Sequence, residues 1–492
     1  MGGEPLATAV ILAAFGGLLA ASVVLSRVST RLGLPVALLF LLVGVVAGSK
    51  GLGSIAFEDY GFAFRVGTTA LVLILFDGGL NTPFASAREV LAPSAVLATL
   101  GVVAIAALVA GVGHLLGLSW PMAMLLGGIV SSTDAAAVFS VLHASGTRLR
   151  RRVGLTLEVE SGLNDPMAVI LTTTVTASIV SGADLTAAGM ILGFVLEMLV
   201  GAGVGYGVAR LGRLMILRVH LPAAGLYPAF TLAIACLSYG LTTILHGSGF
   251  LAVYVTGLTL GSGALPHAVG IRRVHDALGW LSQVLMFLLL GLLVTPGRLW
   301  QVAAVGFSLA IILAVVLRPL VAMLVLSAFR YRWRDSAFIG WVGLRGAVPI
   351  VLATIPVMAD VPGARGLFDV VFFIVFVGAL IPGATVPWAA RMLQVESAAP
   401  PPPATMIEVD ARAPSGDELR AYFVSDHLAV AGATLAEIPF PDGTAVSMLE
   451  RGGSLIAPSG TTRIEPGDYV YVIAPVRHRP HVELLFGRPE EH

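Results

Sequence analysis

The sequence predicts an α-helical membrane protein with about 13 transmembrane helices, inverted repeats and two broken helices, followed by a small cytoplasmic α+β domain. Three observations predict this fold class: the composition, a series of long apolar segments, and an abrupt change in composition after Arg391. Of the 492 residues, 57% are hydrophobic and 12% are charged, and the mean hydropathy is +0.92. Soluble domains carry about 25% charged residues, so most of the chain is not an ordinary soluble protein.

Charge and cysteine content exclude other classes of protein. The net charge is zero and the pI is about 7.2, which argues against a nucleic-acid partner. The single cysteine, Cys236, lies in an apolar stretch, so neither a disulfide framework nor a thiolate metal cluster is expected. The N-terminal "MGGEPLATAV" has no basic segment and predicts a first membrane span with an external start, not a cleaved signal.

The apolar segments define the predicted spans, because a helix needs roughly 20 mainly apolar residues to cross a bilayer. Thirteen candidate segments lie at about 6–26, 34–49, 66–80, 91–116, 119–143, 157–181, 185–209, 222–245, 248–262, 276–294, 299–328, 335–359 and 367–390.

Loop charge predicts the orientation of these segments, because cytoplasmic loops carry an excess of Lys and Arg. With the N-terminus outside, the outside loops hold four basic residues, Lys50, Arg65, Arg298 and Arg365. The inside loops hold sixteen, namely Arg27, Arg31, Arg88, Arg148, Arg150, Arg151, Arg152, Arg210, Arg213, Arg218, Arg272, Arg273, Arg330, Arg332, Arg334 and Arg391. We therefore expect a multi-pass protein of the cell inner membrane with its C-terminus in the cytoplasm.

Three domains follow from the change in composition. Residues 1–394 are the predicted transmembrane domain, 395–407 a Pro-rich linker, and 408–492 a cytoplasmic domain. In the last, "DELRAYFVSD", "TAVSMLERGG", "GSLIAPSG" and "PGDYVYVIAPV" predict short strands separated by turn residues, and "TLAEIPF" and "PHVELLFG" predict short helices.

Charged residues inside the membrane segments are the candidates for function, because a charge in hydrocarbon is costly. The stretch "EVESGLNDPMAVI" carries Glu160, Asn164 and Asp165. Glu160 and Asn164 are four residues apart and share a helix face. Asp165 lies about nine residues into its span, roughly 13 Å deep at 1.5 Å per residue. Burial favours its neutral form and a nearby cation its charged form, which is what a group that exchanges a proton for a metal ion requires.

Two polar interruptions of apolar segments resemble each other. "GGIVSSTDAAA" contains Thr133 and Asp134 among small residues, and "VGLRGAVPI" contains Arg345 between two glycines. They lie seven spans apart. Because seven is odd, the second segment crosses the membrane in the direction opposite to the first, as in an inverted repeat. Paired broken helices at matching places predict an inverted-repeat transporter with its site at the middle of the membrane.

These motifs resemble the bacterial NhaP-type cation/proton antiporters, relatives of eukaryotic sodium/proton exchangers. The resemblance rests on "FDGGL", "SSTDAAAV", "ESGLNDP", "LRP" and "GLRGAVPI" and covers about residues 6–394. It implies a dimer of thirteen helices, with an interface part and a six-helix ion-carrying core.

The resemblance also implies roles for individual residues. Asp165 is the shared proton and cation site, where K⁺ or Na⁺ binds. Cation coordination would be completed by Asp134, Glu160, the Ser161 side chain and the Thr133 carbonyl. Asn164 and Arg345 would hold Glu160, and Arg318 would lie near the site as a structural or modulatory charge. A purely structural pairing of Glu160 and Arg345 is an open alternative.

The expected stoichiometry follows from Asn164 and from charge counting. Electrogenic members of the family have two adjacent aspartates, so the Asn164–Asp165 pair implies one-for-one, electroneutral exchange. Three buried acids, Asp134, Glu160 and Asp165, face two buried arginines and leave one net negative charge. One proton or one monovalent cation neutralises it, and the charged empty site crosses the membrane reluctantly.

The C-terminal segment is similar to the TrkA-C (RCK C-terminal) domain of potassium transport proteins, through "GATLAEIPFPDGTAVSMLERGG", "LIAPSGTTRIEPGDYVYV" and "VELLF". This resemblance implies dimerisation and regulation by a small ligand, with a nucleotide as one candidate and a passive dimer clamp as the alternative. It also favours potassium over sodium. No cofactor is expected, and no G-x-G-x-x-G motif precedes the domain.

Other functions are alternatives. A Na⁺/H⁺ antiporter without K⁺ transport fits the same motifs. A cation channel or uptake subunit is disfavoured because no T-V-G-Y-G filter is present. An integral-membrane enzyme is disfavoured because neither H-E-x-x-H nor G-x-S-x-G occurs.

Overall fold

The computed structural model describes residues 4–32, 35–48, 55, 57–182, 187–219, 221–263, 265–397 and 417–487. The chain divides into two compact units, one formed mainly of residues before 398 and one mainly of residues after it. Most of the predicted linker, from residue 398 to 407, lies outside the described residues. The predicted domain boundaries therefore stay predictions.

The first unit is entirely helical in its long elements. These are α1 (Glu4–Leu32), α2 (Val36–Ala47), α3 (Tyr60–Asn81), α4 (Phe84–Val96), α5 (Val102–Leu115), α6 (Trp120–Ile129), α7 (Ala135–Ala144), α8 (Arg151–Ser181), α9 (Ala187–Arg218), α10 (Leu226–Ile244), α11 (Gly249–Gly261), α12 (Ala268–Leu292), α13 (Pro296–Ile312), α14 (Arg318–Ser327), α15 (Trp333–Trp341), α16 (Val348–Met358), α17 (Ala364–Ala384) and α18 (Val386–Met392).

Within the described residues, nine helical segments are long and apolar enough to cross a bilayer. Five shorter apolar helices, α2, α6, α7, α11 and α16, accompany them. The predicted class of helical membrane protein is confirmed, and the total of thirteen spans stays a prediction.

Two helices are broken where the sequence predicts it. The first break separates α6 from α7 at 130–134, and the second separates α15 from α16 at 342–347. The Asp134 N–H donates to the Leu344 carbonyl at 2.7 Å, so the two breaks contact each other directly. Non-helical backbone at membrane depth persists only where protein or a wet cavity satisfies it, and each break supplies a partner for the other.

A second pair of irregularities has the same spacing. A π-helical turn at Leu97–Gly101 joins α4 to α5, and another at Leu313–Leu317 joins α13 to α14. Pro93 lies four residues before the first turn, and Pro319 follows the second, so each region lacks a backbone donor. In both halves, the helix with the π-helical turn directly precedes the broken helix. An inverted repeat requires the same order of elements in each half.

Glycines bring three helices into backbone contact. A Cβ at Gly79 of α3 would lie 2.5 Å from the Tyr254 carbonyl oxygen of α11, and one at Gly257 would lie 2.5 Å from the Phe76 carbonyl oxygen. On the other side of α11, a Cβ at Gly201 of α9 would lie 2.7 Å from the Ser248 carbonyl oxygen. Small residues at such crossings give the close packing that replaces the hydrophobic effect inside lipid.

The second unit contains a four-stranded antiparallel sheet in the order β1-β4-β2-β3. The strands are β1 (Asp417–Phe423), β2 (Ala445–Arg451), β3 (Ser454–Ile456) and β4 (Tyr469–Pro475), and α19 (Arg479–Phe486) follows them. A bulge between Val446 and Met448 shifts the register of β2 against β4. All four predicted strands and the last helix are confirmed.

The predicted helix at 434–440 is wrong. Only a 3₁₀ turn at Leu435–Glu437 forms, because Pro439 and Pro441 cannot donate the hydrogen bonds that a longer helix needs. The Thr434 N–H donates to Glu437 Oε2 at 2.8 Å and closes a capping box. This hydrogen bond lowers the pKa of the Glu437 carboxyl.

Candidate functional site

The two breaks create a polar centre inside the helical unit. Asp134 is the first residue before α7, and its Oδ1 accepts a hydrogen bond from the Ala137 N–H at 3.2 Å. A carboxylate at a helix N-terminus is stabilised by the free N–H groups and by the helix dipole. The facing break leaves room for this side chain only because residue 346 is glycine: a Cβ there would overlap the Asp134 carboxylate.

Helix α8 carries Asp165 past this centre. Asp165 is 7% exposed and lies near the middle of the 31-residue helix. Ser161 lies one turn earlier and bridges to the first break, because its hydroxyl donates to the Thr133 carbonyl at 3.1 Å and accepts from the Ala135 N–H at 3.2 Å. The structure thus brings Asp134, Ser161, Thr133 and Asp165 into one neighbourhood.

Asn164 also holds the first break, through the side chain of Thr133. Its Nδ2 donates to the Thr133 hydroxyl at 2.7 Å, and the side chain is fully buried. The expected contact between Asn164 and Glu160 is absent from the described hydrogen bonds. Asn164 therefore fixes the polar loop that carries Asp134, and does not fix Glu160.

Several oxygens in this centre have no hydrogen-bond partner within the described residues. They are the buried atoms Ser132 Oγ, Asn164 Oδ1 and Asp165 Oδ1, and the Ser132 hydroxyl lies beside the Asp165 carboxyl group. Burying such groups without a partner costs about 1–3 kcal/mol each. Carboxylate, hydroxyl and carbonyl oxygens are the ligands that a hard cation prefers, so the donor set here fits a monovalent cation between Asp134 and Asp165.

Glu160 differs from its prediction as a cation ligand. Its Oε1 pairs with Arg318 Nη2 at 2.5 Å, and both side chains are 1% exposed. Across the described residues, no cluster of three or more His, Cys, Asp or Glu side chains is arranged to hold a metal ion. The Arg318 guanidinium already neutralises the Glu160 carboxylate, so this glutamate is a charge partner rather than the expected cation ligand.

Arg345 was expected to hold Glu160; it interacts with that glutamate through its charge, and its hydrogen bonds go to backbone carbonyls of the two breaks. Its Nε donates to the Val130 carbonyl at 3.2 Å, and its Nη1 donates to the Gly343 carbonyl. Val130 ends α6, and the free carbonyls at a helix C-terminus attract a cation. Arg345 therefore satisfies the first break. Arg318 has the structural role at Glu160, and it fits beside the second break because residue 343 is glycine.

A small cavity lies beside the second break. It is lined by side chains of α2, α7, α12, α17 and the second break, namely Leu38, Ala137, Phe287, Arg345 and Val375. Its inner wall includes Gly346, which contacts the Asp134 carboxylate.

Comparison with known proteins places these features in a family. Residues 17–392 match the profile described as "Sodium/hydrogen exchanger, transmembrane", and residues 419–487 match the TrkA-C domain. The K(+)/H(+) antiporter NhaP2 of Shewanella oneidensis is 42% identical over 482 residues, which are 96% of this chain and 83% of that protein. The K(+)/H(+) antiporter NhaP of Alkalimonas amylolytica is 44% identical over 383 residues, 77% of this chain and 66% of that protein.

A solved structure has the same fold. The sodium proton antiporter MjNhaP1 from Methanocaldococcus jannaschii aligns with a TM-score of 0.67 at 22% identity, over 78% of this chain and 99% of that one. The alignment supports the helical architecture described above.

Proposed function

The chain belongs to the family of transmembrane sodium/hydrogen exchangers, and from this premise we propose that it exchanges one monovalent cation for one proton at Asp165. The transport class, cation/proton antiport, follows from family membership and from relatives named as antiporters over almost the whole chain. The single observation that carries the assignment to Asp165 is the burial of its carboxyl group near the middle of α8, beside the Asp134 carboxylate where the two breaks meet. The role is transport; we propose no enzymatic step.

Competition is the proposed mechanism. The cation is held by Asp165, Asp134, the Ser161 hydroxyl and the Thr133 carbonyl, and a proton on Asp165 removes the charge that holds it. Glu160 and Arg318 neutralise each other, and Arg345 balances one of the two remaining aspartates. One negative charge is left for one proton or one cation, which supports electroneutral exchange by alternating access.

Potassium is the proposed cation, because the relatives over the full chain are named K(+)/H(+) antiporters and because the chain carries a TrkA-C domain. Sodium exchange without potassium transport is the alternative. The TrkA-C domain supports regulation by a small ligand such as a nucleotide. A passive dimer clamp remains the competing role for this domain.

The proposed setting is a homodimer in the inner membrane, with the N-terminus outside and the C-terminus in the cytoplasm. The excess of arginine in the loops on one side supports this orientation. Lipid contacts the exposed apolar faces, exemplified by α1 and α9, whose side chains include Val24, Leu192 and Leu199.

Proteoliposomes with an internal pH dye test the proposal. K⁺, Na⁺ and Li⁺ are added in turn, and only a cation that the protein transports should change the internal pH. If exchange is electroneutral, collapsing the membrane potential should leave the rate unchanged. Asp165→Asn should abolish exchange, whereas Glu89→Gln, an exposed glutamate of α4, should retain it. Exchange that persists with its pH dependence in Asp165→Asn would refute the mechanism.

Deleting residues 404–492 tests the regulatory role. Regulation predicts an altered transport rate or an altered response to nucleotide in the truncated protein. Unchanged transport and an unchanged response would support the dimer clamp.

A further inference from the structure

A second carboxyl group lies on the same helix face as Asp165. Glu158, Gly162 and Asp165 occupy positions i, i+4 and i+7 of α8, so they follow one stripe along that helix. Glu158 lies about 10 Å from Asp165 along the axis, at 1.5 Å per residue, toward the N-terminal end of α8. In the proposed orientation this end faces the cytoplasm. The proposed cation site makes no use of Glu158, although its charge is costly at this position.

Thr82 can serve both protonation states of this glutamate. The Thr82 hydroxyl contacts Glu158 Oε1 and also lies 2.7 Å from the Gly78 carbonyl oxygen. A hydroxyl has one proton to donate, and a carbonyl oxygen can only accept. When Thr82 donates to Gly78, its contact with Glu158 is a hydrogen bond only if Glu158 carries a proton. When Thr82 turns its proton to Glu158, the same contact stabilises the carboxylate.

Tyr254 of α11 separates Glu158 from Asp165. Its ring packs onto α8 at Gly162, where a Cβ would lie 2.6 Å from the ring atom Cε2. The Tyr254 hydroxyl is buried and neighbours Thr82 and Glu158. The ring therefore covers α8 between the two carboxyl groups, and its hydroxyl lies near Glu158.

The charged groups near Glu158 on α3, α4 and α8 are Asp77, Arg88, Glu89 and Glu160, and three of them have partners of their own. On α4, Glu89 lies 3.2 Å from Arg151, and Arg88 precedes it. On α3, Asp77 Oδ1 accepts from Asn81 Nδ2 at 2.9 Å. On α8 itself, Glu160 is paired with Arg318.

Building on the function proposed above, we propose that Glu158 is the group that passes protons between the cytoplasm and the Asp165 site, with Thr82 holding it and Tyr254 closing the path. In one direction, a hydronium ion in cytoplasmic water protonates the Glu158 carboxylate and leaves water. When the Tyr254 ring moves off Gly162, that proton passes through water to the Asp165 carboxylate, which then releases its cation. The opposite direction reverses each transfer.

Glu158→Gln in the full-length protein tests this proposal, because it keeps the shape and removes the exchangeable proton. Exchange is measured in proteoliposomes with pH varied on the cytoplasmic side alone, and cation binding is measured by the K⁺-induced shift in thermal unfolding. We expect cation binding within about twofold of wild type and exchange slower by about tenfold, below the 10²–10⁴-fold of direct proton transfer because water carries part of the flux. The dependence on cytoplasmic pH should flatten, and Glu158→Asp should restore part of the rate. Glu89→Gln is the matched control.

Two results overturn the proposal: an unchanged rate and pH profile in Glu158→Gln, or loss of cation binding together with exchange, which would show a structural role. If Glu158→Gln does not fold, Thr82→Val replaces it, with slower exchange and intact K⁺ binding expected and an unchanged rate contradicting the proposal. Persistence of exchange in Asp165→Asn would instead refute the proposed function, independently of the result at Glu158.

Discussion

Glu160 of α8 and Arg318 of α14 form an ion pair at 2.5 Å that is almost completely removed from solvent. The two residues are 158 positions apart in the sequence, so the pair joins two distant helices. Arg318 is the first residue after the second π-helical turn. Glu160 Oε2 and Arg318 Nη1 are buried without a further partner among the described residues. Desolvation of both charges is therefore a large cost that only their mutual contact offsets.

Breaking this pair on one side should be costly. Arg318→Met or Glu160→Gln alone leaves an uncompensated buried group, and we expect each to destabilise the protein by about 3–5 kcal/mol. The double variant Glu160→Gln/Arg318→Met should recover much of that loss. Thermal and denaturant unfolding in detergent measures all four proteins as a double-mutant cycle. Additive losses would contradict a direct pair.

Gly346 should be intolerant of any side chain. In Gly346→Ala the new methyl group would overlap the Asp134 carboxylate, so we expect Asp134 to move and exchange to fall by at least about tenfold. Gly378→Ala in α17 is the control, because a Cβ there meets nothing within 4 Å. Transport assays at matched protein amounts compare the two. Equal activity of both variants would show that the close approach at Gly346 has no role in transport.

Asn164→Asp should change the charge moved per cycle. The substitution adds one negative charge beside Asp165 and removes the Nδ2 donor that holds Thr133. We expect transport to become sensitive to the membrane potential, because one monovalent cation no longer neutralises the site. Rates of K⁺/H⁺ exchange in proteoliposomes, with the membrane potential imposed by a gradient of a permeant anion such as thiocyanate, measure this. Active exchange with no potential dependence would argue against the charge count.

Arg451 should anchor the end of β2 to the turn that precedes β4. Its guanidinium donates to both carboxylate oxygens of Asp468 at 2.8 Å, and Asp468 is fully buried. Because truncation leaves that carboxylate without its charge partner, we expect Arg451→Met to destabilise the domain by about 2–4 kcal/mol. Hydrogen exchange of residues 417–487 in the full-length protein measures the loss, with Arg477→Met as an exposed control. Unchanged protection would contradict this role.

Glu437 predicts a pH dependence of local stability. The Thr434 N–H holds the pKa of this carboxyl below its usual range, so its contribution is present above about pH 4.3 and is lost as pH falls through the lowered pKa. We expect protection of the turn at Leu435–Glu437 to decline at acid pH in wild type and to start lower, with a flatter profile, in Glu437→Gln. Identical profiles in the two proteins would refute the capping role.

The sequence predicted best what local composition controls. The breaks at 130–134 and 342–347 follow from Gly, Ser and Pro inside apolar segments, and the strands of the C-terminal domain follow from short apolar stretches between turn residues. Asp165 near the middle of α8 follows from counting residues.

Pairings between distant segments could not be predicted in the same way. Arg318 and Arg345 were both buried cations near the site, and periodicity gives the face of a helix but not its partner across the core. Arg318 reaches Glu160 because a π-helical turn sets its direction and Gly343 makes room for its side chain. Neither condition is visible in the local sequence.

The backbone contacts of α3, α9 and α11 have a mechanical consequence. Helices that touch through glycines have no side-chain layer to shear, so this trio behaves as one stiff wall. Helix α8 meets this wall at Gly162, against the Tyr254 ring, and at Glu158, which contacts Thr82 at the end of α3. Any movement of α8 along α11 would therefore have to displace the Tyr254 ring from Gly162.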